Sequence, residues 1–346
     1  MTLHIFNPGH DEALAAGTPY YTHTRAARAL ATSLWELPRL WGGQDALVLS
    51  PDALRHFSDW DKVERIEPWG WDAALVHHLR MAGAPSRLLP DSDTLDTLRH
   101  LSSRETSVRL LATLDKPTCV ASAYLQRWND VIDFAAEHKS VLVKAPWSCS
   151  GRGLVHLSTP PSDEERRRVE NILRKQGAVA VETYLPRTAD FAMEFVAEAD
   201  GTVRFRGLSC FLTDSDGHYL GNLVASDEDI LQRLAPFPFE QVKEQVRRGL
   251  ERLLAGRYIG PLGVDMLQFR SPEGIALHPC VEINLRHTMG AVALSLLGGL
   301  PAGWPAALFS ISQAPPTPCG AIRLCGAEGG LSAWLSPAEN GHATNA

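Results

Sequence analysis

The order of apolar runs predicts an α/β protein built of several lobes, and three observations carry that expectation. Residues 3–6 and 46–49 are short apolar runs. Between them lies a helical segment with Leu30, Leu34 and Leu37 on a shared face, so strand, helix and strand follow in the order of a parallel unit. Residues 140–157 read as a strand, a glycine-bearing loop and a second strand. Residues 258–290 read as two strands joined by a turn at Ser271, Pro272, Glu273 and Gly274, with a helix opening near Thr288.

The first lobe covers residues 1–100. Its segment Asn7-Pro8-Gly9-His10-Asp11-Glu12 leaves the carboxyl end of the first strand, the usual ligand edge of an open parallel sheet. An ordinary turn with a helix cap at Asp11 explains it equally well. Trp60, Trp69 and Trp71 suit packing or an interface, which leaves a homo-oligomer open. Ser102 and Glu105 then stand at capping-box spacing ahead of Val108, Leu111 and Ala112, placing Arg104 in the first turn of a helix.

The strand SVLVK ends at Lys144, and the loop PWSCSGRG follows. It lacks the Gly-Lys-Ser/Thr order of a Walker A loop. Gly151 and Gly153 let backbone amides approach an anion closely, and Ser148 and Ser150 add hydroxyl donors. Residues 162–175 form a helix with a capping box at Ser162 and Glu165. Residues 178–185, AVAVETYL, form a strand in which Glu182 is costly unless paired. Two further strands follow from 191 to 212, with Glu194, Arg204 and Arg206 on faces that alternation alone does not choose. A helix over 239–254 carries Val242, Val246, Leu250 and Leu253 on one stripe. From 313 onward, the Pro-, Ala- and Gly-rich tail reads as poorly ordered.

The hairpin over 258–290 holds the densest chemistry. In its second strand Val281, Ile283 and Leu285 fall on one face, and Glu282, Asn284 and Arg286 on the other. Glu282 and Asn284 offer hard oxygen ligands of the kind Mg²⁺ takes, and Arg286 can neutralise phosphate charge. Asp265, inside VDMLQF on the preceding strand, must be solvated, paired or bound to a cation. Taken alone, the triplet is also compatible with a solvated sheet face.

VLVKAPWSCSGRG, VETYL and the Asp265/Glu282-x-Asn284 pattern occur together and in order, and over residues 102–298 the chain resembles the ATP-grasp superfamily. The resemblance implies an ATP-grasp fold behind an N-terminal α/β domain at 1–100. A small lobe would span 101–185, a core lobe 186–312 and the tail 313–346. It implies ATP with Mg²⁺ (or Mn²⁺) as cofactors and Asp265, Glu282 and Asn284 as metal ligands. Lys144, Arg104, Ser148, Ser150, Gly151 and Gly153 would meet the phosphates, and Arg286 with Lys144 would serve the reacting phosphate. Glu182, Tyr184 and Leu185 would read the adenine and ribose, with Asp190 near the ribose. The implied activity is ATP-dependent activation of a carboxylate as an acyl phosphate for attack by an amine, with small-molecule carboxylate and amine substrates. An ATP-grasp kinase acting on a hydroxyl and a non-catalytic nucleotide-binding module are the alternatives.

Composition is ordinary for a soluble globular protein. Of 346 residues 45% are apolar and 21% charged, and the net charge of −7 argues against a general nucleic-acid partner. No apolar run reaches the ~20 residues that span a bilayer, so no membrane partner is expected. The start MTLHIFNPG lacks the basic and apolar regions of a signal peptide. Six scattered cysteines without a C-x-x-C pair suit free thiols in a reducing cytoplasm.

Overall fold

The computed structural model describes residues 1–346 except 44, 115–119, 139, 149–152, 214–218, 317–319, 328 and 339–346. In the N-terminal sheet β1 (Thr2–Ile5) lies between β2 (Leu47–Val48) and β3 (Arg65–Pro68), all parallel. Leu3, Ile5 and Ile66 pack there with Trp60, Leu75 and Leu79. The chains leaving β1 and β3 at the carboxyl edge are tied together. Asn7 Nδ2 donates to the Gly70 carbonyl at 2.8 Å and to Asp72 Oδ2 at 3.2 Å. Asp72 in turn caps the helix Ala73–Met81 by accepting from Leu75 N at 2.8 Å.

The second sheet comprises β4 (Ser122–Leu125), β5 (Val141–Lys144), β6 (Leu154–Leu157) and β7 (Val179–Thr183), in the order β4-β7-β5-β6. Helices Trp128–Glu137 and Asp163–Gln176 pack on it through Val131 and Val169. The capping box at Ser162 and Glu165 is present.

The third sheet runs β12-β11-β8-β9-β10-β13-β15-β14. Its strands are β8 (Arg187–Ala197), β9 (Val203–Thr213), β10 (Tyr219–Val224), β11 (Gly260–Ser271), β12 (Gly274–Asn284), β13 (Ala307–Ser312), β14 (Ile322–Gly326) and β15 (Ser332–Pro337). Strand alternation gives it two different faces. Phe191, Met193, Phe195, Val264, Met266 and Ile283 point into the main core with Val246 and Leu250 of the helix Phe239–Leu254. Asp190, Ala192 and Glu194 therefore face the other way.

Three expectations need correction. The cap of the helix Arg104–Leu111 is Ser103, whose Oγ accepts from Glu105 N at 3.2 Å. Ser102 instead closes the preceding helix, donating to the Leu98 carbonyl at 2.8 Å. Adjacent serines offer two registers, and spacing alone picked the wrong one. That helix packs against the large sheet as well as against β4 and β7. Leu110 joins the main core, and Ser107 Oγ accepts from Ile283 N at 3.1 Å.

On β12 the core position belongs to Cys280 rather than Val281, because the bulge that sets Pro279, Cys280 and Val281 against the single Met266 breaks the alternation. Finally, described residues of the tail form regular strands instead of a poorly ordered segment. β14 and β15 extend the large sheet, and Ala333 and Leu335 share a second core with Phe309, Val292, Leu34 and Leu37. A Pro- and Gly-rich composition hid two short strands whose stability comes from partners far along the chain. Among the described residues no helix is long and apolar enough to cross a membrane.

Candidate active site

Register across three strands assembles the site. Asp265 on β11 lies opposite Glu282 on β12 and Ala192 on β8, while Gly263 lies opposite Asn284 and Glu194. Directly paired residues share a face, so Asp265, Glu282, Asn284 and Glu194 stand on the polar face together. Asn284 Nδ2 donates to Asp265 Oδ2 at 3.0 Å. Burial, then the charges of Glu282 and Glu194, push Asp265 up to about 7. Such a crowded carboxylate beside a second one is a fit for a divalent cation, which would relieve the repulsion. Among the described residues no group of three His, Cys, Asp or Glu side chains assembles, so the third donor would be the Asn284 amide oxygen.

Three cations surround this face, and each is held by an acid. Arg104, 7% exposed, reaches Glu282 Oε2 at 3.0 Å, the Ala145 carbonyl at 3.0 Å and Ser148 Oγ at 3.1 Å. Lys144 at the end of β5 pairs with Glu182 on β7. His278 Nε2 stands 3.5 Å from the other Glu182 oxygen. Burial alone would raise the Glu182 carboxyl, but Lys144 and then His278 outweigh it and bring it down to about 2. Arg286 is gripped by Asp11, with Nε to Oδ1 at 3.0 Å and Nη2 to Oδ2 at 2.9 Å. It also donates to Asn284 Oδ1 at 3.0 Å and the His287 carbonyl at 3.1 Å. Burial works against ionisation of Asp11, yet Arg286 keeps its carboxyl below the usual range.

Residues following the N-terminal sheet thus border this face. His287 N donates to the Trp69 carbonyl at 2.8 Å, and the His287 ring stacks on Trp41 with centroids 4.5 Å apart. Beyond Arg286 opens a cavity of about 1410 Å³, walled in part by His287, Glu194, Trp41, Trp69 and Arg206. His10, Asp11, Ser148, Glu282 and Asn284 line a separate small crevice.

No family model and no curated protein matches the chain. Solved structures do. A biotin carboxylase from Campylobacter jejuni, in a β,γ-ATP complex, aligns at TM-score 0.54 and 12% identity over 98% of this chain and 87% of that one. The biotin carboxylase domain of Hydrogenobacter thermophilus 2-oxoglutarate carboxylase, a dimer with MgADP, ADP and bicarbonate, aligns at 0.52 and 13% over 84% and 74%. N5-carboxyaminoimidazole ribonucleotide synthetase from Thermus thermophilus aligns at 0.50 and 17% over 98% and 94%. These are ATP-grasp enzymes. The chain has the ATP-grasp fold.

On that fold the residues predicted from sequence fall into three sets. Asp265, Asn284 and Arg286 are joined by hydrogen bonds, and Arg104, Glu282 and Ser148 form a second bonded group; the backbone pairing of Asp265 with Glu282 puts the two side by side as a polar network. Lys144 and Glu182 form a third node on the four-stranded sheet. Gly153 has φ +77 and its carbonyl accepts from Ala145 N at 3.1 Å, which closes the base of the loop. Ser150 and Gly151 lie outside the described residues. Tyr184 is exposed, with its ring edge-on to His156 at 4.6 Å, and Leu185 is half-buried beside it; neither joins the network. Asp190 pairs with Arg187 at 3.0 Å, and burial raises it to about 6.

Sequence reasoning missed the roles of Asp11, His278 and Glu194. Asp11 carried one signal, its place just beyond the first strand. His278 lay in the segment whose bulge concealed the register. Glu194 was visible as an acid in an apolar strand, but its face was undetermined. Its carboxylate accepts from Ser209 Oγ at 2.9 Å and Thr288 Oγ1 at 2.8 Å. Glycines make the room: a Cβ at Gly290 would lie 2.1 Å from Oε1, and one at Gly263 2.9 Å from Oε2.

Burial raises Glu194 to about 7, against 4.5 for an ordinary glutamate. The folded state therefore holds a proton that the unfolded state has released, and stability should fall as pH rises from about 4.5 to about 7. Glu194→Gln removes that loss, which is on the order of 3 kcal/mol. Thermal unfolding from pH 5 to 8 should show a shallower decline for the variant than for the wild type. Parallel curves would mean that Glu194 stays ionised throughout.

Proposed function

We propose that this protein is an ATP- and Mg²⁺-dependent ligase that activates a carboxylate as an acyl phosphate for attack by an amine, releasing ADP and phosphate. The observation that carries the reading is the convergence of Asp265, Glu282 and Asn284 with Arg104 and Arg286 on one sheet face, next to the Lys144–Glu182 node. The ATP-grasp fold and the MgADP- and ATP-containing structures that share it support the same reading.

The residues divide the work by chemistry. Lys144 and Arg104 offer charge to the phosphates, and Glu182 accepts from the adenine amino group or ribose. Arg286 faces the phosphoryl group as it passes to the substrate carboxylate. Asp265, Glu282 and Asn284 would hold Mg²⁺, which when bound neutralises and orients the phosphate oxygens. The substrate carboxylate oxygen bonds to the γ-phosphorus while the bond from that phosphorus to the bridging oxygen of ADP breaks. The neutral amine nitrogen then bonds to the acyl carbon, the bond from that carbon to the phosphate oxygen breaks, and the proton the nitrogen loses leaves with the phosphate. No protein nucleophile is required.

The test is ADP release from pooled carboxylates and amines, with and without Mg²⁺, followed by hydroxylamine trapping. A hydroxamate formed in step with ADP is the expected product. A stable phosphate ester without hydroxamate would make the protein a kinase.

A further inference from the structure

Each cation that the proposed site would offer a phosphate already has a carboxylate partner: Lys144 with Glu182, Arg104 with Glu282, Arg286 with Asp11. On the ligase reading two of these acids have another destination. Glu182 turns to the adenosine and Glu282 to the metal, which frees Lys144 and Arg104. Asp11 has no such destination on the nucleotide. Its hold on Arg286 is bidentate, and the two further bonds from Arg286 to Asn284 and His287 occupy most of the guanidinium. An arginine held this way neutralises little of a reacting phosphate's charge.

The ion pair also stands at a boundary. Asp11 lines the crevice that contains Ser148, Glu282 and Asn284, whereas Arg286 lines the cavity of about 1410 Å³. The backbone carrying Asp11 is fixed, because Asn7 is bonded to Gly70 and Asp72, and His10 Nδ1 lies 3.3 Å from Asp72 Oδ2. Glu12 is engaged by Tyr21 and Thr24. Asp11 is thus the acid of this segment whose partner belongs to the polar sheet face.

We propose that Asp11 recognises the amine substrate: an alkylammonium group takes the Asp11 carboxylate as its partner, and Arg286 is thereby released to the reacting phosphate. This rests on the ligase reading and narrows its second substrate to a primary amine that arrives protonated and passes one proton to the Asp11 carboxylate before its nitrogen attacks. A ligand that brings its own cation replaces the charge Arg286 withdraws, so Asp11 is never left uncompensated.

Calorimetric binding of Mg·AMP-PNP and Mg·ADP tests it in wild type, Asp11→Asn and Asp11→Glu. Each is measured at constant ionic strength in ethylammonium chloride or tetramethylammonium chloride. Ethylammonium has N–H donors and should tighten Mg·AMP-PNP binding to the wild type about three-fold or more relative to tetramethylammonium. Asp11→Asn should bind Mg·AMP-PNP about three-fold or more tightly than wild type in tetramethylammonium, with no further gain from ethylammonium. Asp11→Glu should keep the wild-type response, and circular dichroism checks that all three fold alike. Equal effects of the two salts on the wild type overturn the proposal, as does an Asp11→Asn protein that binds the analogue no more tightly. A wild type that binds neither nucleotide overturns the nucleotide reading itself, so the two failures are distinguishable.

Discussion

Glu282→Gln is expected to lower magnesium-dependent ATP turnover by about a hundred-fold or more, and to abolish the gain in nucleotide affinity that Mg²⁺ gives the wild type. Glutamine keeps the shape of the side chain and an oxygen for Arg104, which lies 3.0 Å away, but removes the negative charge that a metal needs. The fold should hold, because Glu282 is on the polar face and its neighbours Ile283 and Leu285 supply the packing. Glu282→Ala is a different experiment. It also removes the oxygen that accepts from Arg104 while that guanidinium remains buried, and so adds a stability loss of about 1–3 kcal/mol. Comparing the two separates metal binding from fold. Wild-type turnover in Glu282→Gln would remove the metal site from this hairpin.

What made Glu282 legible was local. E-x-N-x-R is a period-two pattern, so the three side chains had to share a face, and β12 places Glu282 and Asn284 as that pattern requires. Asp265 was legible only as an acid in an apolar strand, since the bulge between Asp265 and Leu267 set its register. Arg104 was found through a helix start, although the cap lies one residue later than its spacing suggested. By contrast, the Asp11–Arg286 pair joins residues 275 positions apart. No local period encodes such a contact. It arises because the chain after β12 docks on Trp69 and carries Arg286 to the edge of the N-terminal sheet. The ordered tail was illegible for the same reason: β15 exists because β13 and β14 flank it. Fold class was therefore readable from alternation and order, while the contact between the chain after β12 and the N-terminal sheet was not.

Lys144→Met should cost about 3–5 kcal/mol of stability and also remove most nucleotide binding, and the two losses can be told apart. Lys144 and Glu182 are both buried, so deleting the cation leaves a carboxylate with His278 alone, 3.5 Å from one oxygen. Lys144 is the largest of the influences that bring Glu182 down to about 2, against 4.5 when unperturbed. The stabilisation from that shift is fully present above about pH 4.5 and is lost as the pH falls towards 2. In Lys144→Met the same carboxyl is raised instead, and burial charged becomes a penalty. The deficit relative to wild type should accordingly shrink as the solution is acidified, because a neutral carboxyl needs no cation. The double variant Lys144→Met, Glu182→Gln should recover most of the lost stability, since it replaces both charges rather than one. It should not recover nucleotide binding, because the phosphate still lacks its lysine and the adenosine its acid. Urea unfolding at pH 5 and 8 gives the first comparison, and calorimetry with Mg·ADP gives the second. If the double variant binds Mg·ADP as the wild type does, this pair is a structural brace and the nucleotide lies elsewhere.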